Sequence, residues 1–188
     1  MLKYVKEFGK YVTITGFRNV QIKDTEEFLK RIRKEKRSTV EIQFFDAKLV
    51  ATRLHLYFAV LNALTAFKNK ENISKSLAME TMLCASAQRQ IRKATELVGI
   101  KRDSSEIAVL IIGERPEIVE STLSMVSKHV KAKRDDTVLD LSEEKIATIQ
   151  EAFGISDLEV KTIVKKDGLG RALTDLVIER MALLATQR

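Results

Sequence analysis

The chain has 188 residues, and 33 lysines and arginines against 26 aspartates and glutamates give it a net charge of +7. Hydrophobic residues make up 45% of the sequence, enough for a buried core, while 7 glycines and one proline exclude collagen-like and low-complexity classes. No apolar run approaches the roughly 20 residues that a bilayer requires, the N-terminal residues lack a signal-peptide pattern, and the single cysteine fits a reducing compartment, so we expect a cytoplasmic protein that does not enter a membrane.

The positive charge is concentrated in the first third of the chain. Residues 1–70 hold 15 basic and 7 acidic side chains, whereas residues 136–188 hold 7 basic and 10 acidic ones. A field of this sign attracts polyanions, and nucleic acid is the first class to consider.

The first half of the chain predicts two strands and two helices. Residues 11–17 and 39–45 alternate apolar and polar side chains with β-branched residues, which is typical of strands. Between them, Asp24 is predicted to cap a helix. Residues 50–67 repeat apolar side chains at steps of three and four, so we expect a helix that is buried on most sides.

The second half is predominantly helical. Residues 73–85 suit a helix, but residues 79–84 would also form a short strand, and periodicity leaves both open. Residues 107–112 are apolar on both faces, which predicts an interior strand. Four further helices are predicted: 88–98 after Ser86 as a candidate cap and ending at Gly99, Pro116 to about His129, Ser142 to Gly154, and a last one after Asp167 or Gly168.

These elements predict an α/β or α+β fold, in which a small mixed sheet is flanked by helices and followed by a helical C-terminal segment. We expect residues 1–135 to form the core domain. Residues 136–188 should form the helical segment, which packs on the core or on a partner.

Candidate catalytic groups are few. A thiolate with a neighbouring base is a nucleophile, and Cys84 with His55 would be the only such pair. Both fall in apolar segments, however, where buried structural residues are the common case. No carboxylates and histidines recur at metal-ligand spacing. We therefore predict no catalytic residue, no metal and no enzyme activity.

A glycine pair near the C-terminus invites comparison with a dinucleotide-binding loop. Gly168 and Gly170 follow a strand-like stretch at 160–164. The third glycine position is Leu173, however, and no acidic residue follows at the distance that would hold a ribose. We predict two glycines entering an amphipathic helix, and no cofactor.

Two basic clusters remain. Six cations between Lys30 and Arg37 crowd the end of the first predicted helix, where positive charge suits the helix terminus. The second cluster lies at residues 86–93 and places cationic side chains, which donate hydrogen bonds to phosphate, beside an amide donor. The alternative interpretation is a solvent-exposed helix face. The candidate RNA-binding residues are those of this second cluster: Ser86, Arg89, Gln90, Arg92 and Lys93.

Residues 45–112 carry a family pattern. It comprises Phe45-Asp-Ala-Lys-Leu-Val50 before an apolar helix, Leu77 with Glu80, Leu83-Cys84-x-Ser86, Gln90-Ile91 with Ala94, Gly99-Ile100 and Asp103-Ser-Ser105. This pattern resembles the small kinase-binding subunit of the KEOPS complex, the TPRKB-like family, as an archaeal-type member. The ending Gly168-Leu-Gly-Arg-Ala-Leu-Thr-Asp175 is similar to that of eukaryotic members.

The resemblance implies a non-catalytic accessory subunit of the machinery that makes N6-threonylcarbamoyladenosine at position 37 of tRNA (t6A37). In that family the subunit binds a kinase-like ATPase subunit and, through it, the threonylcarbamoyl transferase subunit. In archaea it also holds the single-stranded 3′ CCA end of tRNA. The expected partners are therefore tRNA and the kinase-like ATPase.

An alternative function is a regulator of a kinase-like partner that has no RNA contact of its own. Such a protein would work through an exposed apolar face. The candidate partner-binding residues are Leu169, Leu173 and Leu176, which core packing would explain equally well.

Overall fold

The computed structural model describes residues 2–164 and 168–186. The chain forms two compact units: unit 1 comprises Met1–Ala47 and Ile100–Val138, and unit 2 comprises Lys48–Gly99 and Leu139–Arg188. The predicted boundary after residue 135 lies close to the passage from unit 1 to unit 2 at Val138. Unit 2 also includes Lys48–Gly99, which lies within the predicted core domain.

Five strands and eight α-helices are found in the described part of the chain. The strands are β1 (Leu2–Val5), β2 (Lys10–Arg18), β3 (Val40–Asp46), β4 (Glu106–Gly113) and β5 (Lys133–Arg134). The helices are α1 (Thr25–Glu35), α2 (Arg53–Asn69), α3 (Leu77–Ala85), α4 (Ile91–Val98), α5 (Pro116–Val130), α6 (Glu143–Phe153), α7 (Asp157–Ile163) and α8 (Gly168–Thr186). The predicted α/β class, with helices at the C-terminus, is confirmed.

Unit 1 is built on an antiparallel sheet. Its strand order is β1-β2-β4-β3, and β5 pairs with β2 beside β1. The apolar strand β4 is interior, as predicted, because it pairs with β2 on one side and β3 on the other. One face of the sheet packs against α1 and α5 through a core that includes Phe17, Ile32, Ile111, Val119 and Val126.

Helix boundaries in unit 1 follow the predicted signals. The Asp24 carboxylate accepts a hydrogen bond from the backbone N–H of Glu27 at 2.9 Å, so Asp24 caps α1. Pro116 occupies the first turn of α5, where its missing N–H leaves no bond unmade.

Gly16 allows the chain to close the free edge of β2. Its carbonyl accepts from the N–H of Asp135 at 2.9 Å, and its N–H donates to the Asp136 carboxylate at 3.0 Å. A Cβ at this position would lie 2.2 Å from Val138 Cγ2 and 2.6 Å from the Asp135 carbonyl oxygen. Only glycine therefore fits here, and the edge left between β1 and β5 is covered by backbone.

Unit 2 is helical throughout the residues that the structure describes. Helix α2 packs on α3 and α8, and α6 and α7 pack on α8. Its core includes Leu56, Leu83, Ile149, Leu173 and Leu176, each 2% exposed or less.

One buried carboxylate orders the loop between α2 and α3. Glu80 is fully buried, and its Oε2 accepts from the backbone N–H groups of Ile73 at 2.9 Å and Ser74 at 2.7 Å. These bonds satisfy two loop amides that would otherwise lack partners. Glu80, part of the family pattern, therefore has a structural role in this fold.

Three sequence predictions are resolved or corrected here. The open choice at 73–85 is a helix, α3, over Leu77–Ala85. The prediction of a strand-like conformation at 160–164 is wrong, because Ser156 and Glu159 form a capping box that starts helix α7. The last helix begins at Gly168, whereas the alternative start, Asp167, lies outside the described residues. Within those residues, no helix has the length and apolar character needed to cross a bilayer.

Candidate nucleic-acid and partner interface

The loop between α3 and α4 carries the predicted RNA-binding residues. Helix α3 ends in a Schellman motif: the N–H of Gln88 donates to the Leu83 carbonyl at 3.1 Å, and the N–H of Ala87 donates to the Cys84 carbonyl at 3.0 Å. Ala87 has φ +50°, a left-handed conformation that favours glycine. The turn sends the chain sharply away from the end of α3 and towards α4.

Ser86 is the C-cap of α3 and not the N-cap of the next helix, which is Gln90. The Ser86 side chain is buried, and its hydroxyl donates to the Leu83 carbonyl at 3.1 Å. Its proton is therefore committed to the protein, and only its oxygen lone pairs are available to a ligand. Ser86, one of the candidate RNA-binding residues, is therefore not a free hydrogen-bond donor.

The other four predicted residues lie together in the loop and the first turn of α4. Arg89, Gln90, Arg92 and Lys93 are all exposed. Arg92 pairs with Glu96 at 2.8 Å, and this hydrogen bond raises the pKa of Arg92. Arg89 and Lys93 have no acidic partner among the described residues, so their charges are open to an external anion.

A cleft of about 340 Å³ adjoins this loop within unit 2. The α3–α4 turn forms one wall, and the ends of α6 and α8 form the others. The cleft combines polar and apolar side chains, and its lining residues are Ser86, Ala87, Gln88, Ala152, Phe153, Arg180, Leu183 and Leu184. Phe153 is the one aromatic residue among them.

Arg180 is held in the wall of the cleft by Glu159. Its guanidinium bonds to the Glu159 carboxylate and donates to the Gly154 carbonyl at 3.4 Å. Hydrogen bonds from the Ser156 N–H, from Arg180 and from the Ser156 hydroxyl lower the pKa of Glu159 to about 2. The carboxylate therefore stays ionised at physiological pH and fixes the position of Arg180.

No sequence pattern points to Arg180 or Phe153 as cleft residues. They lie 94 and 67 residues beyond Ser86, and the packing of α6 and α8 brings them to the cleft. Gln88 also lines the cleft, and it directly precedes Arg89 of the predicted cluster. Local sequence patterns cannot identify such residues, because only tertiary packing brings them to the cleft.

His55 and Cys84, the candidate nucleophile pair, are both buried in unit 2. His55 Nδ1 accepts from the Ala51 N–H at 3.2 Å, and its Nε2 donates to the Ala85 carbonyl at 2.8 Å. Burial lowers the pKa of His55 to about 4. Both ring nitrogens are thus engaged with backbone. The described residues contain no group of three or more metal-ligating side chains.

The three candidate leucines of α8 differ in exposure. Leu173 and Leu176 are buried, and they lie on α8, which packs on α2, α3, α6 and α7, while Leu169 is 43% exposed. Leu173 and Leu176 are therefore core residues of the folded chain, and the expectation that they form an exposed face is wrong.

Exposed apolar side chains nevertheless concentrate in unit 2. Among the described residues, nine large hydrophobic side chains are exposed, and Tyr4 is the only one in unit 1. Leu54 and Phe58 stand four residues apart on one face of α2, so this helix is less completely buried than its pattern predicts. The others are Ile73, Ile91, Leu158, Val164, Leu169 and Leu183.

An antiparallel-sheet unit and a helical unit define a protein of the mixed α/β class. A family model described as kinase binding protein CGI-121 matches residues 17–185. The chain belongs to this family.

Two relatives illustrate the family. The regulatory protein Cgi121 of Methanocaldococcus jannaschii is 30% identical over 149 residues, which cover 79% of this chain and 86% of that protein. The EKC/KEOPS complex subunit CGI121 of Candida glabrata is 29% identical over 135 residues, which cover 72% of this chain and 70% of that protein.

Proposed function

We propose that this chain is a non-catalytic accessory subunit of a cytoplasmic KEOPS complex. In this function it binds tRNA and the kinase-like ATPase subunit, and through the latter it supports the threonylcarbamoyl transferase subunit in t6A37 modification. Membership of the CGI-121 family supports the kinase-like partner. The name KEOPS complex subunit, carried by the relative from Candida glabrata, supports the assembly.

The observation that carries the RNA part is the exposed cluster next to the unit 2 cleft. Arg89 and Lys93 offer unpaired positive charge, and Gln90 offers an amide, in the exposed segment that follows the cleft residue Gln88. The planar guanidinium of Arg180 lines the same cleft. Single-stranded RNA is bound by cations along its backbone and by planar groups on which its bases stack. The cleft, at about 340 Å³, is within the size range of small-ligand sites. We place the 3′ CCA end of tRNA here.

The test compares intact tRNA with tRNA that lacks its last three nucleotides. The intact molecule should bind more tightly, and its affinity should fall as salt rises, because phosphate binding releases counterions. Equal affinity for the two RNAs would contradict the assignment to the 3′ end.

The alternative, a regulator that binds only protein, is favoured by the exposed apolar residues of unit 2. Leu54 and Phe58 are exposed on one face of α2, and Leu169 is exposed on α8. Apolar patches of this kind mark protein interfaces, and aromatic anchors dominate their energetics.

Phe58→Glu and Leu169→Glu separate the two functions. Each should weaken co-purification of the kinase-like subunit and leave tRNA affinity unchanged, because neither lines the cleft. Leu173→Glu is unsuitable, since a buried charge would unfold unit 2. A chain that binds the kinase-like subunit but retains no tRNA at low salt would establish the alternative.

A further inference from the structure

A second cleft, in unit 1, is distinct from the one assigned to the 3′ end. It has a volume of about 580 Å³ and lies between the segment leading into α1 and the end of α5. Five of its ten lining residues carry cationic or titratable basic side chains: Lys23, Arg31, Lys128, His129 and Lys131.

The acidic residues of this cleft are already engaged. The Asp24 carboxylate caps α1, and Glu27 pairs with Arg31. His129 lies 3.0 Å from the carboxylate of Glu35. Lys23, Lys128 and Lys131 are exposed and have no acidic partner among the described residues. Three ammonium groups therefore face the cleft without a counter-charge from the protein.

The surrounding sequence is strongly basic. Residues 21–37 and 128–134 together contain eleven lysines and arginines and four acidic residues, an excess equal to the net charge of the whole chain. Other exposed cations on these segments also lack an acidic partner among the described residues: Lys30, Arg33, Lys34, Arg37 and Lys133. The field of unit 1 is centred on these two segments.

Helix dipoles account for only part of this arrangement. A cation near a helix C-terminus is favourable, which explains Lys128 and Lys131 at the end of α5. Lys23, however, directly precedes the cap of α1, where the positive end of the helix disfavours a cation. The helix dipole therefore does not explain Lys23, whose charge is available to an anion bound in the cleft.

The chemistry of the cleft fits a phosphodiester backbone rather than bases or a peptide. Its one aromatic residue, Phe28, is half-buried and packs edge to face on Phe44, with ring centroids 5.2 Å apart. Phe28 therefore offers no free ring face for base stacking. An acidic peptide would need apolar anchors, and the exposed apolar side chains lie in unit 2 with the exception of Tyr4.

We propose that the unit 1 cleft binds the phosphate backbone of tRNA outside its single-stranded 3′ end. This inference rests on the proposed tRNA-binding function and adds a second, sequence-independent contact. Lysine, as a point charge, positions RNA without sequence readout.

The test is the double variant Lys128→Glu/Lys131→Glu, measured with intact tRNA, with tRNA trimmed of its last three nucleotides, and with a short 3′-terminal oligonucleotide. Affinity for both tRNAs should fall by about tenfold or more. The number of phosphate contacts deduced from the salt dependence of the affinity should fall by roughly two. Affinity for the oligonucleotide should not change. Lys128→Arg/Lys131→Arg should retain binding, since it keeps the charge.

The control is Lys6→Glu/Lys161→Glu, which makes the same charge change at two exposed lysines that line neither cleft. It should leave all three affinities close to those of the unaltered chain. If the test variant melts at a lower temperature, Lys23→Glu replaces it, because this residue lies outside the helices.

The outcomes separate this inference from the assignment of the 3′ end. Equal binding of intact and trimmed tRNA, both weakened by the double variant, would support the cleft and contradict the 3′-end site. An unchanged tRNA affinity in the double variant, or no tRNA binding by the unaltered chain, would overturn the inference. The inference would also be overturned if the unaltered chain and the control variant bind polyglutamate and the double variant does not. That result would indicate an acidic protein partner.

Discussion

The hydroxyl of Ser104 donates to the carboxylate of Asp46 at 2.6 Å, across 58 residues of sequence and in the buried interior of unit 1. The same serine oxygen accepts from the backbone N–H of Lys101 at 2.9 Å. Both Asp46 and Ser104 belong to the family pattern, and the structure gives that part of the pattern a physical reason: the end of β3 is joined to the loop before β4.

Ser104→Ala should therefore lower the free energy of unfolding by about 1–3 kcal/mol, because a buried carboxylate loses a hydrogen bond donor. Urea unfolding measures this change. Ser105→Ala, the same substitution at the exposed neighbour, is the matched control and should cost less than about 0.5 kcal/mol. Equal effects of the two substitutions would contradict the role of this bond.

His55 predicts a pH dependence of stability. Burial lowers its pKa to about 4 from an ordinary value of 6.5, so the native state binds fewer protons than the unfolded chain between these values. The part of the free energy of unfolding that depends on neutral His55 is fully present above pH 6.5. It is lost as pH falls towards 4, by about 3 kcal/mol in total. The measurement is urea unfolding across this range.

His55→Gln tests the assignment, since glutamine does not titrate and can still donate to the Ala85 carbonyl. Between pH 6.5 and 4, the free energy of unfolding of this variant should change less steeply with pH than that of the unaltered chain. The difference in slope should correspond to about one proton. Parallel profiles would show that another group carries the dependence.

Ala87→Gly should stabilise the chain by about 0.5–1 kcal/mol. The left-handed conformation at φ +50° costs a residue with a Cβ more than it costs glycine, and part of this gain is offset by the greater freedom of glycine in the unfolded state. Ala85→Gly, two residues earlier in α3, should instead destabilise by about 1 kcal/mol or more. Thermal melting of both variants gives the comparison.

Arg89→Glu/Arg92→Glu should weaken tRNA binding and leave the melting curve nearly unchanged. Both side chains are exposed, and the only ion pair that the change removes is the surface pair of Arg92 with Glu96. An electrophoretic mobility shift with intact tRNA measures the affinity. Binding equal to that of the unaltered chain would exclude this loop as an RNA contact.

Elements with strong periodicity or a clear cap could be predicted from the sequence. The cap at Asp24, the proline at the start of α5 and the left-handed Gly154 after α6 each mark a boundary that the structure confirms. The two-residue strand β5 carries no pattern of its own, because its pairing with β2 depends on tertiary placement.

The strand predicted at 160–164 is a helix, and a local sequence signal for that helix is present beside the β-branched residues. Ser156 and Glu159 have the spacing of a capping box, which predicts a helix start and outweighs the strand propensity of two valines and an isoleucine. The exposed cluster of the candidate site could be predicted because it is contiguous. The cleft beside it could not, because Phe153 and Arg180 reach it only through the packing of distant helices.

The discontinuous make-up of unit 2 has a consequence for biosynthesis. Helices α2 and α3 leave the ribosome well before α8, which packs on both. Until then the apolar surfaces of α2 and α3 have no cover from α8, and nascent chains are prone to aggregate in such an interval. Chaperone association with ribosome-bound chains should therefore persist until α8 emerges.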